Sequence, residues 1–204
     1  MPTASAPIAG LVLAAGAGSR YGMPKALARG DDGTPWLART IGTLTDAGCS
    51  PVIVVLGARA ADARALLDEF GLTPSVVLVR ADDWAEGLSA SLRAGLRQAT
   101  DLPAAPIAVA IVPVDVPGLE SSTVARLIGT LPGETEADVG PQTLRQAGFN
   151  ARPGHPVVIG RAHWAALIGS ATGDTGARPY LRSHDTRLVD CTDLETGLDV
   201  DQRD

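Results

Sequence analysis

The residues with the clearest chemical potential stand in a glycine-rich loop near the N-terminus. An apolar run ends at Leu13 and continues as Ala-Ala-Gly-Ala-Gly-Ser-Arg-Tyr-Gly-Met-Pro-Lys. Glycines let successive backbone N–H groups turn towards a ligand with no side chain in the way, which creates a concave anion site. Arg20 adds a planar fork of donors for phosphate oxygens, and Lys25 adds a compact positive charge. This arrangement predicts a cradle for the phosphates of a nucleotide.

Lys25 is the single lysine of a chain that contains 17 lysine and arginine residues together. Arginine stands at every other basic position, so a lysine in the glycine loop suggests a chemical role of its own; coincidence is the alternative. The glycine spacing matches neither the dinucleotide fingerprint nor the P-loop, because Lys25 is followed by Ala26 and not by serine or threonine.

Acidic residues supply the second group of candidates. Asp115 follows the apolar run 107–112, and Asp199 and Asp201 alternate near the C-terminus. Ligands of open α/β sheets bind beyond the carboxyl ends of the strands, and an extended chain presents alternate residues on one side. Magnesium prefers a few carboxylates together with substrate phosphate oxygens, so these three residues are its predicted ligands. A turn aspartate and a solvated acidic tail are the alternative interpretations.

Three further segments contribute binding candidates. Gly87 and Ser89 open a predicted helix, where glycine permits close approach of a base and the hydroxyl can bond to it. A capped helix start is the alternative interpretation. Arg178 follows a Gly-Asp-Thr-Gly segment, where a helix N-terminus can hold an anion, or where Asp174 is only a cap. His155, within Gly-His-Pro, precedes a short predicted strand.

Strand-like and helix-like segments alternate along the chain, which predicts a largely parallel sheet with helices on both faces. The predicted strands are 8–13, 51–56, 75–79, 107–112, 156–159 and 187–190. The predicted helices are 37–47, 60–70, 87–99, 121–130, 162–168 and 175–182, with Ser121 as a helix cap. The segment 131–156 is rich in glycine, proline and threonine and predicts a loop or a cover over the site.

Length and composition describe one globular domain over residues 1–204. The net charge of −6 argues against nucleic-acid binding, which favours a basic surface. No apolar run approaches the roughly 20 residues that span a membrane, and the N-terminus lacks the regions of a secretory signal. Two cysteines are too few for a disulfide framework, so we predict reduced thiols and a cytoplasmic location.

The string Leu-Ala-Ala-Gly-x-Gly-Ser-Arg, with Pro-Lys downstream, resembles the signature of a nucleotidyltransferase superfamily. Its members share a Rossmann-like fold with sugar-nucleotide pyrophosphorylases, and the chain looks most like the molybdenum cofactor cytidylyltransferases. Asp115 matches the aspartate of the family's Asp-x-Pro element, which holds the metal on the nucleotide phosphates. Asp199 and Asp201 match the start of a common Asp-Ile-Asp-Thr-Pro-Glu-Asp ending, and the match fades after Asp201. His155 matches a Gly-His-Pro element on the acceptor side.

The resemblance implies a three-layer αβα fold with a mostly parallel mixed sheet, and a Mg²⁺-dependent transfer from a nucleoside triphosphate. CTP is the implied donor and molybdopterin the implied phosphate-bearing acceptor, with a molybdoenzyme or its chaperone as a partner. Arg20, Lys25 and Asp115 become the predicted catalytic residues, and His155 and Arg178 the predicted acceptor contacts. The predicted nucleotide contacts are Leu13, Ala14, Ala15, Gly16, Gly18, Ser19, Gly87 and Ser89.

Other functions remain open at this point. GTP as donor, or a sugar or polyol phosphate as acceptor, keeps the same chemistry. A non-catalytic nucleotide-binding or cofactor-binding protein retains the glycine loop without a complete metal site. An NAD-dependent dehydrogenase fits the fold class, but the glycine spacing argues against it.

Overall fold

Seven strands form one sheet in the computed structural model, which describes residues 7–131 and 139–200. The strands are β1 (Ile8–Ala14), β2 (Val52–Leu56), β3 (Val76–Arg80), β4 (Ala108–Pro113), β5 (Leu144–Phe149), β6 (Arg152–Gly160) and β7 (Arg187–Asp190). The helices are α1 (Trp36–Asp46), α2 (Ala60–Glu69), α3 (Leu88–Asp101), α4 (Ser121–Ile128), α5 (Trp164–Ser170) and α6 (Arg178–Ser183).

The sheet has the strand order β3-β2-β1-β4-β6-β5-β7, and only β6 runs antiparallel to its neighbours. Parallel pairing of β1 with β4 sets Leu13 opposite Pro113, so both strands end at the same edge. The reversed direction of β6 brings its first residues to that edge as well. The loops that carry the predicted site residues therefore meet at one edge of the sheet.

Side chains of the central strands alternate between two apolar layers, as strand geometry requires. Val12 and Val54 lie in the layer beneath α1, α2 and α4, whereas Leu11 and Ile53 lie in the layer beneath α3, α5 and α6. All four side chains are fully buried. Helices thus cover both faces of a mostly parallel sheet, which confirms the predicted three-layer αβα fold.

The predicted loop 131–156 is wrong in its second half. Residues 144–149 form β5, which pairs with β6 through a hairpin whose turn residues Asn150 and Ala151 both have positive φ. The segment Leu-Arg-Gln-Ala-Gly-Phe contains no β-branched residue and the turn has no glycine, so the strand and hairpin signals in the sequence are weak. Residues 132–138 of the predicted loop lie outside the described part of the chain.

The first residue of the last helix and the cap residue of α4 also differ from prediction. The last helix begins at Arg178, not at Thr175, because Gly173 and Gly176 adopt positive φ values of 59° and 57° in the turn before it. The cap position of α4 is Glu120, and Ser121 is the first helical residue. None of the helices in the described ranges is long and apolar enough to span a membrane.

Candidate active site

The glycine loop leaves the carboxyl end of β1 and folds back on itself. The Gly22 N–H donates to the Gly18 carbonyl at 2.8 Å. Gly18 has φ +64°, and a Cβ at that position would lie 1.8 Å from the Met23 carbonyl oxygen. Only glycine therefore fits here. A Cβ at Gly16 would meet nothing within 4 Å, so this part of the loop opens towards a space that a ligand can fill.

Gly57 holds the loop against the neighbouring strand and was not singled out by the sequence. It follows β2 directly, and a Cβ there would lie 2.6 Å from both the Ala15 carbonyl oxygen and the Trp84 Cβ. The next residue, Ala58, donates its N–H to the Ala15 carbonyl at 2.9 Å. In the sequence, the only indication of this close packing is a glycine immediately after an apolar strand. That glycine does not reveal which segment packs against it.

The structure joins Lys25 to Asp115 in an ion pair with an Nζ–Oδ2 distance of 2.8 Å. Lys25 begins a short 3-10 turn after the glycine loop, and Asp115 lies just beyond β4. The Val114 N–H donates to the Leu13 carbonyl at 3.1 Å, which continues the strand pairing up to the aspartate. The side chains are 14% and 22% exposed, so the pair is shielded yet still accessible from solvent.

The other predicted site residues of the loop form an exposed group and a buried group. Gly16, Ser19 and Arg20 are exposed. Arg20 has no hydrogen-bond or ion-pair partner among residues 7–131 and 139–200, so its guanidinium group is available to a ligand. Leu13, Ala14 and Ala15 are buried, and only their backbone groups are suited to contact a nucleotide.

The C-terminal segment returns to the same edge of the sheet. The Val200 N–H donates to the Asp115 carbonyl at 2.9 Å, which places Asp199 beside the aspartate that pairs with Lys25. Asp199 is exposed. Asp201, the third predicted metal ligand, lies outside the described residues.

His155 stands among several of these charges at the start of β6. Burial lowers the pKa of its imidazole, whereas the nearby carboxylates of Asp115 and Asp199 raise it and Arg178 lowers it. Burial is the largest of these effects, so the ring is neutral near pH 7. The structure thus brings both aspartates and Arg178 close enough to this ring to affect its charge.

A tight turn docks on the first residues of α3. The Asp174 Oδ1 accepts the Leu88 N–H at 3.3 Å, and the Ser89 hydroxyl accepts the Gly176 N–H at 3.2 Å. A Cβ at Gly87 would lie 2.3 Å from that Asp174 oxygen. Asp174 therefore caps α3 and not its own helix. Ser89 is fully buried and positions the turn, while its predicted contact with a base stays a prediction.

Arg93 is a further residue that the sequence did not reveal. Its guanidinium group bonds to Asp83 at 2.8 Å, to Glu86 at 2.7 Å and to the Ala171 carbonyl at 3.0 Å. The hydrogen bond from Arg93 lowers the pKa of Asp83 below its usual value. The Arg93 side chain on α3 thereby holds in place both the Trp84–Glu86 turn and Ala171, which precedes the turn that docks on α3.

Arg178 lies beside an open cavity at the outer end of this region. The cavity has a volume of about 590 Å³ and is lined by Asp174, Thr175, Arg178, Pro179, Arg182 and Ser183. Two arginines in its lining favour an anionic ligand. Helix α6 begins only at Arg178 and has six residues, and the predicted anion site at its N-terminus stays a prediction.

Comparison with protein families gives a match over most of the chain. A model described as the MobA-like NTP transferase domain matches residues 10–188. The nicotine blue oxidoreductase of Paenarthrobacter nicotinovorans is 36% identical over 208 residues, and the alignment covers 95% of this chain and 92% of that protein.

Solved structures include close matches to the fold. The Mycobacterium tuberculosis protein Rv0371c is 29% identical with a TM-score of 0.78, and the alignment covers 98% of this chain and 95% of that one. A manganese complex of Rv0371c matches with a TM-score of 0.70 at 27% identity, over 90% of this chain and 88% of that one.

Proposed function

The chain belongs to the MobA-like NTP transferase family of nucleotidyltransferases, and we propose that it transfers CMP from CTP to a phosphate-bearing acceptor. The proposed acceptor is molybdopterin, and the proposed second product is pyrophosphate. An acceptor phosphate oxygen attacks the α-phosphorus, and the bond between that phosphorus and the oxygen bridging to the β-phosphate breaks. The electron pair of the broken bond leaves with pyrophosphate, so no protein nucleophile is required.

The observation that carries the proposal is the Lys25–Asp115 pair, held at 2.8 Å at the mouth of the glycine loop. The loop binds triphosphate oxygens through backbone N–H groups, and Lys25 and Arg20 neutralise the charge that collects on the leaving pyrophosphate. Fixed charges that face a developing charge are among the largest contributions to catalysis. The half-buried setting of Lys25 strengthens this effect because less water screens it.

The acidic residues suit a hard divalent cation such as Mg²⁺. Asp115 and Asp199 supply carboxylate oxygens, and residues 7–131 and 139–200 contain no group of three histidine, cysteine or acidic residues that could hold a metal. Magnesium is typically bound by one or two carboxylates with substrate phosphates and water completing its shell. The donor set therefore fits a metal that arrives with the nucleotide. When bound, it stabilises negative charge on the α- and β-phosphate oxygens.

The acceptor is proposed to bind on the side of His155 and Arg178. Arg178 offers a guanidinium group to the acceptor phosphate, next to a cavity with a second arginine. His155 is neutral near pH 7 because burial lowers its pKa, so it can accept or donate a hydrogen bond without adding charge. Its proximity to the two aspartates supports an acceptor phosphate bound next to the nucleotide.

A substrate panel tests this function directly. The purified chain is incubated with CTP, GTP, ATP or UTP, with Mg²⁺ or Mn²⁺, and with molybdopterin, and pyrophosphate release is measured by a coupled assay. We expect release that requires acceptor and metal, stops with EDTA and is fastest with CTP. Fastest release with GTP retains the chemistry and overturns the choice of donor. No release with any nucleotide contradicts nucleotidyl transfer to molybdopterin.

A second candidate function follows from one observation. The relative from Paenarthrobacter nicotinovorans, 36% identical to this chain, is named an oxidoreductase. Hydride transfer to a dye-like acceptor from a reduced nicotinamide nucleotide requires the glycine loop to bind the phosphates of that nucleotide, although its spacing departs from the dinucleotide fingerprint, and needs no metal. The assay follows the oxidation of NADH and NADPH through the loss of nicotinamide absorbance, with nicotine blue as acceptor. Turnover that survives EDTA favours this function over cytidylyl transfer.

A further inference from the structure

The segment from Asp190 to Val200 runs from the end of β7 back to the candidate site, and we call it the C-terminal strap. It contacts α4 and the loop before α4 in reverse chain order. Asp193 forms an ion pair with Arg126, and Glu195 accepts a hydrogen bond from the backbone of Glu120. Further along, the backbone of Val200 donates a hydrogen bond to that of Asp115. The strap therefore lies antiparallel to the segment 115–126 and ends beside Asp115.

A bidentate ion pair connects α4 with the beginning of the strap. Arg126 donates from Nη1 to Asp193 Oδ1 at 2.5 Å and from Nη2 to Oδ2 at 2.8 Å. The Nη1 group also donates to the Asp190 carbonyl at 3.0 Å. Bidentate arginine–carboxylate pairs fix orientation as well as distance. The hydrogen bonds from Arg126 lower the pKa of Asp193, so the carboxylate remains charged across the neutral range.

Two further contacts keep the strap on its course. Glu195 Oε1 accepts the N–H of Glu120, the residue at the cap position of α4, at 3.3 Å. Gly197 has φ +65°, and a Cβ there would lie 2.1 Å from the Phe149 ring. Leu194 and Val200 pack against the apolar layer beneath α4. The strap thus turns where a larger residue would not fit, and it ends at Val200, whose hydrogen bond to the Asp115 carbonyl keeps the adjoining Asp199 in the site region.

We infer that Arg126, through Asp193, is a positioning residue for Asp199, so that the strap sets the affinity of the site for the divalent cation. Asp199 is exposed and is held near Asp115 by the chain on either side of it, with the Val200 hydrogen bond after it and the Arg126 clamp before it. The Arg126–Asp193 pair, which lies away from the site, therefore helps to hold the Asp199 carboxylate in position. The inference rests on the proposed function, because it takes Asp115 and Asp199 as the ligands.

The global stability of the protein should depend little on this clamp. The Arg126 and Asp193 side chains are 32% and 64% exposed, and exposed ion pairs contribute little to folding. Variants at these positions are thus expected to fold, and a change in metal affinity can be separated from unfolding by their melting temperatures.

The test compares the wild type with Arg126→Ala and Asp193→Asn. Manganese binding is measured by electron paramagnetic resonance in the presence of a non-hydrolysable CTP analogue, and analogue affinity is measured separately without metal. We expect the Mn²⁺ dissociation constant to rise about tenfold in both variants, as when a group that orients a metal ligand is removed. Analogue affinity without metal should be unchanged. Asp193→Glu, which can retain the pair, should restore most of the metal affinity.

Arg59→Ala is the matched control, because it removes another exposed ion pair, with Asp62 at 2.7 Å in the first turn of α2. It should leave Mn²⁺ affinity at the wild-type value. Hydrogen exchange of the Val200 amide in the metal-free protein provides a readout that does not depend on the proposed function. Arg126→Ala should accelerate this exchange and Arg59→Ala should not.

The outcomes separate the two proposals. Wild-type manganese affinity in Arg126→Ala, or unchanged exchange at Val200, overturns the positioning role and leaves the proposed function standing. Absence of nucleotide-dependent Mn²⁺ binding in the wild type overturns the metal site, and the inference fails with it.

Discussion

The glycine loop and the C-terminal strap approach the same edge of the sheet by opposite means. The loop is one contiguous stretch whose shape follows from its own residues, as the Gly18–Gly22 hydrogen bond and the close approach to Met23 illustrate. The strap is shaped by partners 67 and 75 positions away in the chain, on α4 and at its cap. A contiguous motif is visible in a sequence, whereas a segment held by distant partners is not.

The ion pairs of the two regions also differ, in their exposure to solvent. Lys25 and Asp115 are shielded, so water screens their interaction weakly, whereas Arg126 and Asp193 lie near the surface. Removing a charge should therefore cost most in the loop region.

The largest effect is expected from Lys25→Ala. It removes the cation proposed to face the phosphates and leaves Asp115 without its 2.8 Å partner, so turnover should fall by at least about tenfold. The measurement is steady-state pyrophosphate release with CTP and acceptor. Lys25→Arg keeps the charge but not its compact geometry and should recover only part of the rate. Unchanged turnover in Lys25→Ala would show that the loop cation is not catalytic.

Gly18→Ala should come next. The added Cβ would lie 1.8 Å from the Met23 carbonyl oxygen, so the loop must shift and misplace its N–H groups. Calorimetric titration should show nucleotide affinity weakened by about tenfold or more. Gly42→Ala on α1 is the control, since nothing lies within 4 Å of its Cβ. That variant should keep nucleotide affinity and gain roughly 0.5–1 kcal/mol of stability.

Asp174→Ala should have a moderate effect on stability. It removes the carboxylate that accepts the Leu88 N–H, and loss of such a cap typically costs about 1 kcal/mol. Chemical denaturation measures the free energy of unfolding. Asp174→Asn keeps an oxygen acceptor and should retain most of that free energy. Equal losses in both variants would instead assign the effect to the charge.

The smallest effect is expected from pH. Burial lowers the pKa of His155 below its usual value of 6.5, so the unfolded chain takes up a proton that the folded protein resists. Above that pH, His155 does not change the free energy of unfolding. As the pH drops below about 6.5, the free energy of unfolding should fall. His155→Gln cannot titrate and should show a shallower decline in urea denaturation between pH 7 and the acid range. Parallel curves for the two proteins would contradict the assignment.

Much of the loop region was predictable because its signals are local. The strand before the loop, Lys25 and Asp115 were identified from apolar runs, glycine spacing and the position of a carboxylate after a strand. The helices α1 and α3 followed from buried leucines at helical spacing, such as Leu92 and Leu96. Their order and alternation also implied the parallel sheet.

The parts that escaped prediction depend on contacts between distant residues. Strand β5 is stabilised by pairing with β6 and β7, although its own residues have weak strand preference. Asp174 suggested a cap for the helix after it, yet its carboxylate lies on α3, since Gly173 and Gly176 turn the chain away from helical geometry. Arg93 and Arg126 carry no motif, because a surface arginine looks alike in sequence whatever it contacts.

The sequence by itself determined the layered α/β fold, the position of the glycine loop after β1 and the identity of the single lysine that follows it. These features depend on the spacing of apolar residues, the positions of glycines and the types of residue, which are properties of short stretches of chain. Only the tertiary structure decided which carboxylate pairs with Lys25, where Ser89 and Asp174 direct their side chains, and how the strap returns Asp199 to the site. The physical reason is that hydrogen bonds and ion pairs act over about 3 Å of space, and the fold alone determines which distant residues come that close.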